Sequence, residues 1–207
     1  RAVEVDSSIL LDGTEPGLKF QPDLVWIKSR TAADNHSLFD SVRGAPIGSH
    51  PNLTNAEFND SSTLTAFNSD GFTLAGHAVT NANNQNYVAW CWKAGGTAVS
   101  NTDGSITSSV SANAAYGFSI ATYTGTGSGT QSVGHGLSSV PALVITKSRG
   151  ATGSWRVFAD IGGTYKIGNL NNTDAFANAS VSAPTSSVFN VDGNSNASTT
   201  HVAYCFA

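Results

Sequence analysis

The chain of 207 residues is long enough for one large domain or for two domains of about 100 residues. Only 12% of its residues are charged and its formal net charge is -4, so it lacks the basic surface that nucleic acid binding requires. No apolar run is long enough to cross a bilayer and no signal segment opens the chain, so membrane insertion is not expected.

The first strong strand signal follows Pro22, where residues 24–30 read LVWIKSR. This stretch is apolar on both sides at first and basic on one side at its end, which is typical of a central strand that leaves the core at its C-terminal end. Residues 62–74, STLTAFNSDGFTL, predict a hairpin that turns at Asn-Ser-Asp-Gly, with a positive φ at Gly71. No stretch predicts an amphipathic helix.

The strand YVAWCW at residues 87–92 divides its side chains by size. Val88, Trp90 and Trp92 share one face, while Ala89 and Cys91 share the other. We expect the aromatic face to point into the main core, because a buried ring removes roughly 150–250 Å² from water. The small face is then expected to lie close to a loop or a partner.

The chain repeats itself at an offset of 119 residues, since 17–39 and 136–158 align without a gap. FNSDG at 67–71 is answered by FNVDG at 189–193, and YVAWCW at 87–92 by HVAYCF at 201–206. Chance does not produce such ordered matches. Identical pairs of the aligned stretch include Gly17/Gly136, Leu18/Leu137, Pro22/Pro141, Leu24/Leu143, Val25/Val144, Lys28/Lys147, Ser29/Ser148, Arg30/Arg149 and Phe39/Phe158.

The repeat and the composition together predict an all-β fold. Ser, Thr, Asn and Gly dominate the polar residues and favour strands and turns. We expect two tandem homologous β-sandwich (jelly-roll-like) domains with little or no helix, at residues 1–98 and 99–207, joined by a Gly- and Ser-rich segment. The segment 116–127 has a counterpart that would begin before Arg1, so the first repeat is expected to be truncated at its start, and the lack of Met favours a piece of a longer or processed chain.

One loop supplies the residue types of a nucleophilic triad: His36, Asp40 and Ser41. Asp40 and Ser41 are adjacent, however, and would point to opposite sides of a strand, and no strained nucleophile elbow is present. The second repeat has Trp155 in place of His36 and Ala159 in place of Asp40. We therefore predict no catalytic residue, and we expect Asp40 to pair with one of the neighbouring cations Arg43, Lys28 or Arg30.

The remaining candidates also favour structural roles. Lys28 and Arg30 recur as Lys147 and Arg149, which favours salt bridges or hydrogen bonds to loop carbonyls over a ligand-binding pair. Asp70 and Asp192 precede turn glycines, but no D-x-D-x-D-G run supports calcium binding. Cys91 and Cys205 are expected to be small buried hydrophobes, since a disulfide would need their strands within about 7 Å. We predict no metal and no cofactor.

Four ordered motifs carry a family resemblance: PDLVWIKSR, HSLFDSVRG, FNSDGFTL and YVAWCWKAGG. Together with GFSIATYTGTG and VGHGLSSVPALVITKSR, they resemble a repeated domain of unknown function that is common in predicted structural proteins of marine bacteriophages, cyanophages among them. The resemblance covers nearly the whole chain. It implies a location in the virion, at the surface of the particle, and it provides no catalytic residue to carry over.

We therefore expect a non-enzymatic virion structural protein, most consistent with a segment of a tail fibre or surface appendage that adheres to a host-surface glycan. The expected partners are other virion subunits, in a homo-oligomer that is typically a trimer in fibres. If loops carry the adhesion, residues 44–60, 77–86 and 162–184 are the segments that differ most between the repeats. The alternatives are a capsid-decorating or architectural protein, and a depolymerase that uses two carboxylates. The carboxylates available for the latter are Asp34, Asp40, Glu57, Asp60, Asp70 and a few others.

Overall fold

The structure, a computed structural model, describes the backbone of residues 2–6 and all of residues 18–207. Gly17, the first member of the repeat, lies outside the described residues. The fold is mostly β with about 4% helix, and its strand pairs are antiparallel, so the predictions of a β-rich chain and of little helix are confirmed. Among the described residues, no helix has both the length and the hydrophobicity to cross a bilayer.

The first of two compact units contains Arg1–Leu53 and Glu57–Lys93. It is built on a six-stranded sheet in the order β1-β8-β2-β3-β4-β5, with a separate hairpin of β6 and β7. A single-turn helix precedes the last strand. The elements are β1 Ala2–Asp6, β2 Leu24–Ser29, β3 Ser37–Asp40, β4 Ile47–Ser49, β5 Phe58–Asn59, β6 Leu64–Asn68, β7 Gly71–Leu74, α1 Ala78–Asn81 and β8 Asn86–Trp92.

The second unit contains Thr54–Ala56 and Ala94–Ala207. Its main sheet has eight strands in the order β16-β15-β14-β13-β18-β11-β10-β9, and β12 pairs separately with β17. A 3₁₀ helix at Gly193–Asn196 precedes the last strand. The strands are β9 Val99–Asn101, β10 Ser108–Asn113, β11 Phe118–Thr124, β12 Gln131–Gly134, β13 Leu143–Ser148, β14 Arg156–Ile161, β15 Thr164–Asn169, β16 Ala177–Asn178, β17 Val188–Val191 and β18 Thr200–Phe206.

The two main sheets pair their central strands in the same register. Trp26 lies opposite Trp90 on the β2–β8 ladder, and Ile145, which aligns with Trp26, lies opposite Tyr204 on the β13–β18 ladder. Outward from these strands, β3 in the first unit corresponds to β14 in the second. The residue pairs of the two sheets still match at an offset of 119 as far as the edge strands β5 and β16. On the other side of β8, β1 takes the position that β11 takes beside β18. The domain boundary predicted between residues 98 and 99 stays a prediction.

The main core of each unit lies on the small-residue face of its closing strand. In the first unit, Ala89 and Cys91 belong to the core, whereas Trp90 and Trp92 are only half-buried on the other face. The expectation that the aromatic face forms the main core is therefore wrong for this unit. The reason is that bulky side chains such as Phe39 fill the core from other strands, so the closing strand needs small residues where they pack.

In the second unit the main core again lies on the small face of the closing strand, at Ala203 and Cys205. Val202 and Tyr204, on the opposite face, are also fully buried, with exposures of 0% and 1%. A strand whose two faces are both buried reads as a continuous apolar run. That explains why the alternation of large and small residues on β18 did not identify the side of the main core.

Each core is covered by a two-stranded ribbon, but the ribbons differ in connectivity. In the first unit the cover is the predicted local hairpin, with Leu64 and Phe67 packed in the core. Gly71 pairs with Asn68 inside this hairpin without the positive φ that the sequence predicts, because Ser69 and Asp70 alone form the turn. In the second unit, the FNVDG segment instead contributes β17, which pairs with the distant strand β12.

Candidate functional site

A buried ion pair organises the loop after β3. The Arg43 Nε atom donates to Asp40 Oδ2 at 2.5 Å, and the Arg43 backbone N–H donates to Asp40 Oδ1 at 2.8 Å. The guanidinium also donates to Ser49 Oγ at 2.8 Å and lies 3.4 Å from a Glu57 carboxylate oxygen. Both members of the Asp40–Arg43 pair have fully buried side chains. The prediction that Asp40 pairs with a neighbouring cation is confirmed, and that cation is Arg43.

The three residue types of the candidate triad do not come together. The His36 Nδ1 atom accepts a hydrogen bond from the indole of Trp26 at 2.9 Å, while the Ser41 hydroxyl donates to Asp23 Oδ1 at 2.7 Å. Asp40 is held by Arg43. Since neither Ser41 nor Asp40 bonds to the imidazole, the chain of Ser–His–Asp hydrogen bonds that defines such a triad is not formed. The prediction that this loop carries no catalytic residue stays a prediction.

Both repeated lysines bind loop carbonyls in the same way. The Lys28 Nζ atom donates to the carbonyls of Ser29 and Ala32, at 2.7 and 3.1 Å. In the second unit, Lys147 Nζ donates to the residues that align with these two, the carbonyls of Ser148 and Ala151, at 2.9 and 3.3 Å. A lysine at this position therefore closes the loop after the central strand, and the predicted hydrogen bonds to loop carbonyls are confirmed.

Both cysteines are buried, and they form no disulfide within the part of the chain that the structure describes. Burial raises the pKa of the Cys91 thiol and of the Cys205 thiol to about 12. Thiols with such pKa values are protonated near neutral pH, and the protonated form is a poor nucleophile. The prediction that these residues act as small buried hydrophobes is confirmed. Among the side chains of residues 18–207, no three of His, Cys, Asp or Glu are grouped so that they could hold a metal ion.

Three histidines have a pKa that the fold lowers below its ordinary value. His135 is fully buried, with Nε2 bonded to the Thr185 carbonyl at 3.1 Å and Nδ1 accepting the Leu137 N–H at 3.2 Å. His201 stacks on Tyr123, with ring centroids 5.1 Å apart. Burial is the main reason that the pKa values of His135, His201 and His36 are lowered.

We expect acid to destabilise the protein through these histidines. In the unfolded chain a histidine binds a proton near pH 6.5, but in the folded chain the lowered pKa delays protonation, so the unfolded state is favoured as the pH falls. The free energy of unfolding should therefore be level above pH 7 and fall steadily between pH 6.5 and 5. Urea unfolding at several pH values checks this, and the His135→Gln variant should show a shallower fall. Stability that is constant or rises on acidification would contradict it.

A groove with a volume of about 340 Å³ lies on the eight-stranded sheet of the second unit. Its walls come from β9, β10, β11, the start of β18 and Arg149, which directly follows β13, and hydroxyl-bearing residues dominate them. Arg149 is half-buried there and is the one charged residue of the lining. The full lining is Ser100, Thr107, Ser108, Ser109, Thr122, Tyr123, Thr124, Arg149 and Thr200.

Strand register places most of these hydroxyls on one face of the sheet. Ser109 lies directly opposite both Ser100 and Thr122, so the three form a row across β9, β10 and β11. Thr124 lies opposite Thr200 and begins a second row beside Arg149, whose backbone N–H donates to the Thr200 carbonyl at 2.8 Å. Residues directly opposite each other on an antiparallel pair point to the same face. The groove is therefore a ladder of hydroxyls that ends at a guanidinium.

The sequence did not point to this groove. None of the loop segments 44–60, 77–86 and 162–184 contributes to its lining. The sequence did contain a signal for this groove, namely hydroxyl residues at every second position. They are Thr107 and Ser109 in one strand segment and Thr122 and Thr124 in the next. Strand pairing was needed to show that these two runs are neighbours.

The comparisons with known proteins identify a family and little else. Residues 8–207 match one family model, which is described as a domain of unknown function, DUF7483. No curated protein and no solved structure matches the chain. The match spans both compact units, so the family is defined by the pair rather than by one unit.

Proposed function

Given that the chain belongs to the family of the domain of unknown function DUF7483, we propose that it is a non-enzymatic structural protein of a bacteriophage particle. In this proposal it forms a segment of a tail fibre or another surface appendage, in a homo-oligomer with other virion subunits. It is displayed at the particle surface, where it adheres to a host-surface glycan. The support for the virion setting is the resemblance of the ordered motifs to phage structural proteins.

We further propose that the two units are tandem homologous β-sandwiches derived from one ancestor. The observation that carries this is the lysine that closes the loop after the central strand, since Lys28 and Lys147 bind carbonyls at matching positions. The common register of the central strands agrees with it. A pair of units with their own cores is a suitable building block for an extended appendage, because each added unit brings its own stability.

The non-enzymatic role is supported by how the reactive groups are used. Asp40 and Arg43 neutralise each other inside the loop after β3, and the thiols of Cys91 and Cys205 are buried in the cores. Such groups stabilise the fold, while adhesion needs only a surface that matches its ligand. The hydroxyl groove provides such a surface.

The proposal is tested by presenting the purified protein to host cells and to their isolated surface polysaccharide. We expect retention on the cells, no release of polysaccharide fragments, and a mass in solution that is a multiple of the chain mass. Fragments that accumulate with time would establish a depolymerase instead. A monomer that neither binds cells nor cleaves polysaccharide would overturn both the appendage and the adhesion roles.

A further inference from the structure

We propose that the hydroxyl groove on β9, β10, β11 and β18 is a binding site for an acidic saccharide. Its Ser and Thr hydroxyls bind the sugar hydroxyls, and Arg149 pairs with the carboxylate or sulfate of the sugar. The inference deepens the proposed adhesion role and rests on it. It names the ligand class and the residues that bind it.

The first support is the hydrogen-bonding capacity of the lining. The side chains of Ser100, Ser109, Thr122, Thr124 and Thr200 lie along the groove, and within the described part of the chain no hydrogen bond of these hydroxyls is found. Thr107 also lines the groove, and no hydrogen bond of its hydroxyl is found among the described residues either. Each hydroxyl is both a donor and an acceptor and rotates to suit its partner. A saccharide also carries hydroxyl groups. Its hydroxyls can therefore form the hydrogen bonds that these side chains otherwise make to solvent water.

The second support is the regular spacing of these hydroxyls. Neighbouring strands are roughly 4.8 Å apart and residues two apart along a strand are roughly 6.8 Å apart, so the two rows form a grid of hydroxyls rather than a single point. A cavity of about 340 Å³ falls within the usual range for small-molecule sites. The sheet fixes the positions of the strands, so little conformational entropy is lost when a ligand binds.

The third support is the positive charge in the lining of the groove. Arg149 is the one charged residue among the nine that line the groove. A guanidinium binds carboxylate and sulfate through paired parallel hydrogen bonds, which a neutral sugar cannot accept with the same strength. The aromatic ring of Tyr123 does not offer a stacking surface, because Tyr123 points to the opposite face and donates to the Ser195 carbonyl at 2.7 Å. Polar and charged contacts therefore select the ligand.

The test measures binding of three oligosaccharides to the full chain by isothermal titration calorimetry. The probes are an oligogalacturonate, which carries carboxylates, a sulfated dextran oligosaccharide and a neutral dextran oligosaccharide of the same length. We expect one of the two acidic probes to bind, the neutral one to bind at least tenfold more weakly, and the acidic affinity to fall as salt is raised. The acidic probe that binds identifies the anionic group.

Two variants and two matched controls locate the site. Arg149→Gln should weaken binding of the acidic probe about tenfold to a hundredfold, and Thr122→Val, which keeps the side-chain shape, about threefold to tenfold. Arg30→Gln changes the arginine that aligns with Arg149 in the first unit, and Thr173→Val removes an exposed hydroxyl far along the chain from the groove. Both controls should bind as the unmodified protein does. Circular dichroism checks that each variant is folded.

The outcomes separate the groove from the wider adhesion role. If the acidic probe binds but neither Arg149→Gln nor Thr122→Val weakens it, the groove assignment is wrong while adhesion stands. If the protein is retained on host cells yet binds none of the three probes, the ligand class is wrong. Equal binding of the neutral and acidic probes would overturn the role of Arg149.

Discussion

Replacing Asp40 with Ala is expected to lower the free energy of unfolding by about 3–5 kcal/mol, because it leaves the guanidinium of Arg43 buried without its carboxylate. The same change removes the acceptor of the Arg43 backbone N–H. Urea or thermal unfolding measures the loss. The double variant Asp40→Ala with Arg43→Met should recover part of it, because the buried guanidinium that lost the Asp40 carboxylate is then removed as well.

Asp174, an exposed carboxylate, provides the control for this experiment. Its replacement by Ala should change the free energy of unfolding by less than about 1 kcal/mol. A loss at Asp40 no larger than the loss at Asp174 would show that the ion pair does not stabilise the loop. A double variant less stable than Asp40→Ala alone would show that Arg43 stabilises the fold through its other contacts.

Phe39→Ala and Phe158→Ala should each cost about 3–5 kcal/mol, since each removes a fully buried ring from the core of its own unit. The two residues align in the repeat and lie at matching register positions, opposite Val25 and Val144. Phe39 packs edge-on against Phe58 with ring centroids 5.9 Å apart. Differential scanning calorimetry and urea unfolding give the losses.

Tyr116→Ala is the matched control for the two phenylalanines, because Tyr116 is 72% exposed. It should change stability by no more than about 0.5 kcal/mol. If only one of the two Phe substitutions is costly, the two cores are not equivalent in packing. If neither exceeds the control, these two buried rings contribute little to stability.

The repeat made the central part of each unit predictable. An offset of 119 residues between Trp26 and Ile145 was visible in the sequence, and strand register followed it as far as the edge strands. Lys28 and Lys147 were also interpreted correctly, since a charged residue that recurs at the end of a buried strand has a local partner in both copies. Local patterns of this kind need no knowledge of distant segments.

The face of the core could not be predicted from the closing strands alone. The alternation of large and small residues on these strands was recognised correctly. Which of the two faces points into the main core, however, depends on the element that covers the sheet. In the first unit that element is a hairpin carrying Leu64 and Phe67, and its bulk requires the small residues Ala89 and Cys91 opposite it. The face that enters the main core is decided by packing between segments far apart in sequence, and the periodicity of one strand carries no information about that packing.

The candidate groove was missed for a related reason. Its hydroxyls come from four strands, and Ser100, Thr122 and Thr200 become neighbours only through pairing. The sequence showed that Arg149 repeats Arg30, which drew attention to a shared structural role. The feature that distinguishes Arg149 is its surroundings in the second unit, where β9 and β10 extend the sheet.

The different ribbons that cover the two cores have a consequence for how the chain folds. In the first unit the ribbon joins residues 64–68 to residues 71–74, a contact between near neighbours that forms early and at little entropic cost. In the second unit β12 and β17 must meet across the intervening strands β13 to β16. The ribbon contacts therefore join residues farther apart in the chain in the second unit, and during synthesis this ribbon can form only after residues 188–191 have left the ribosome.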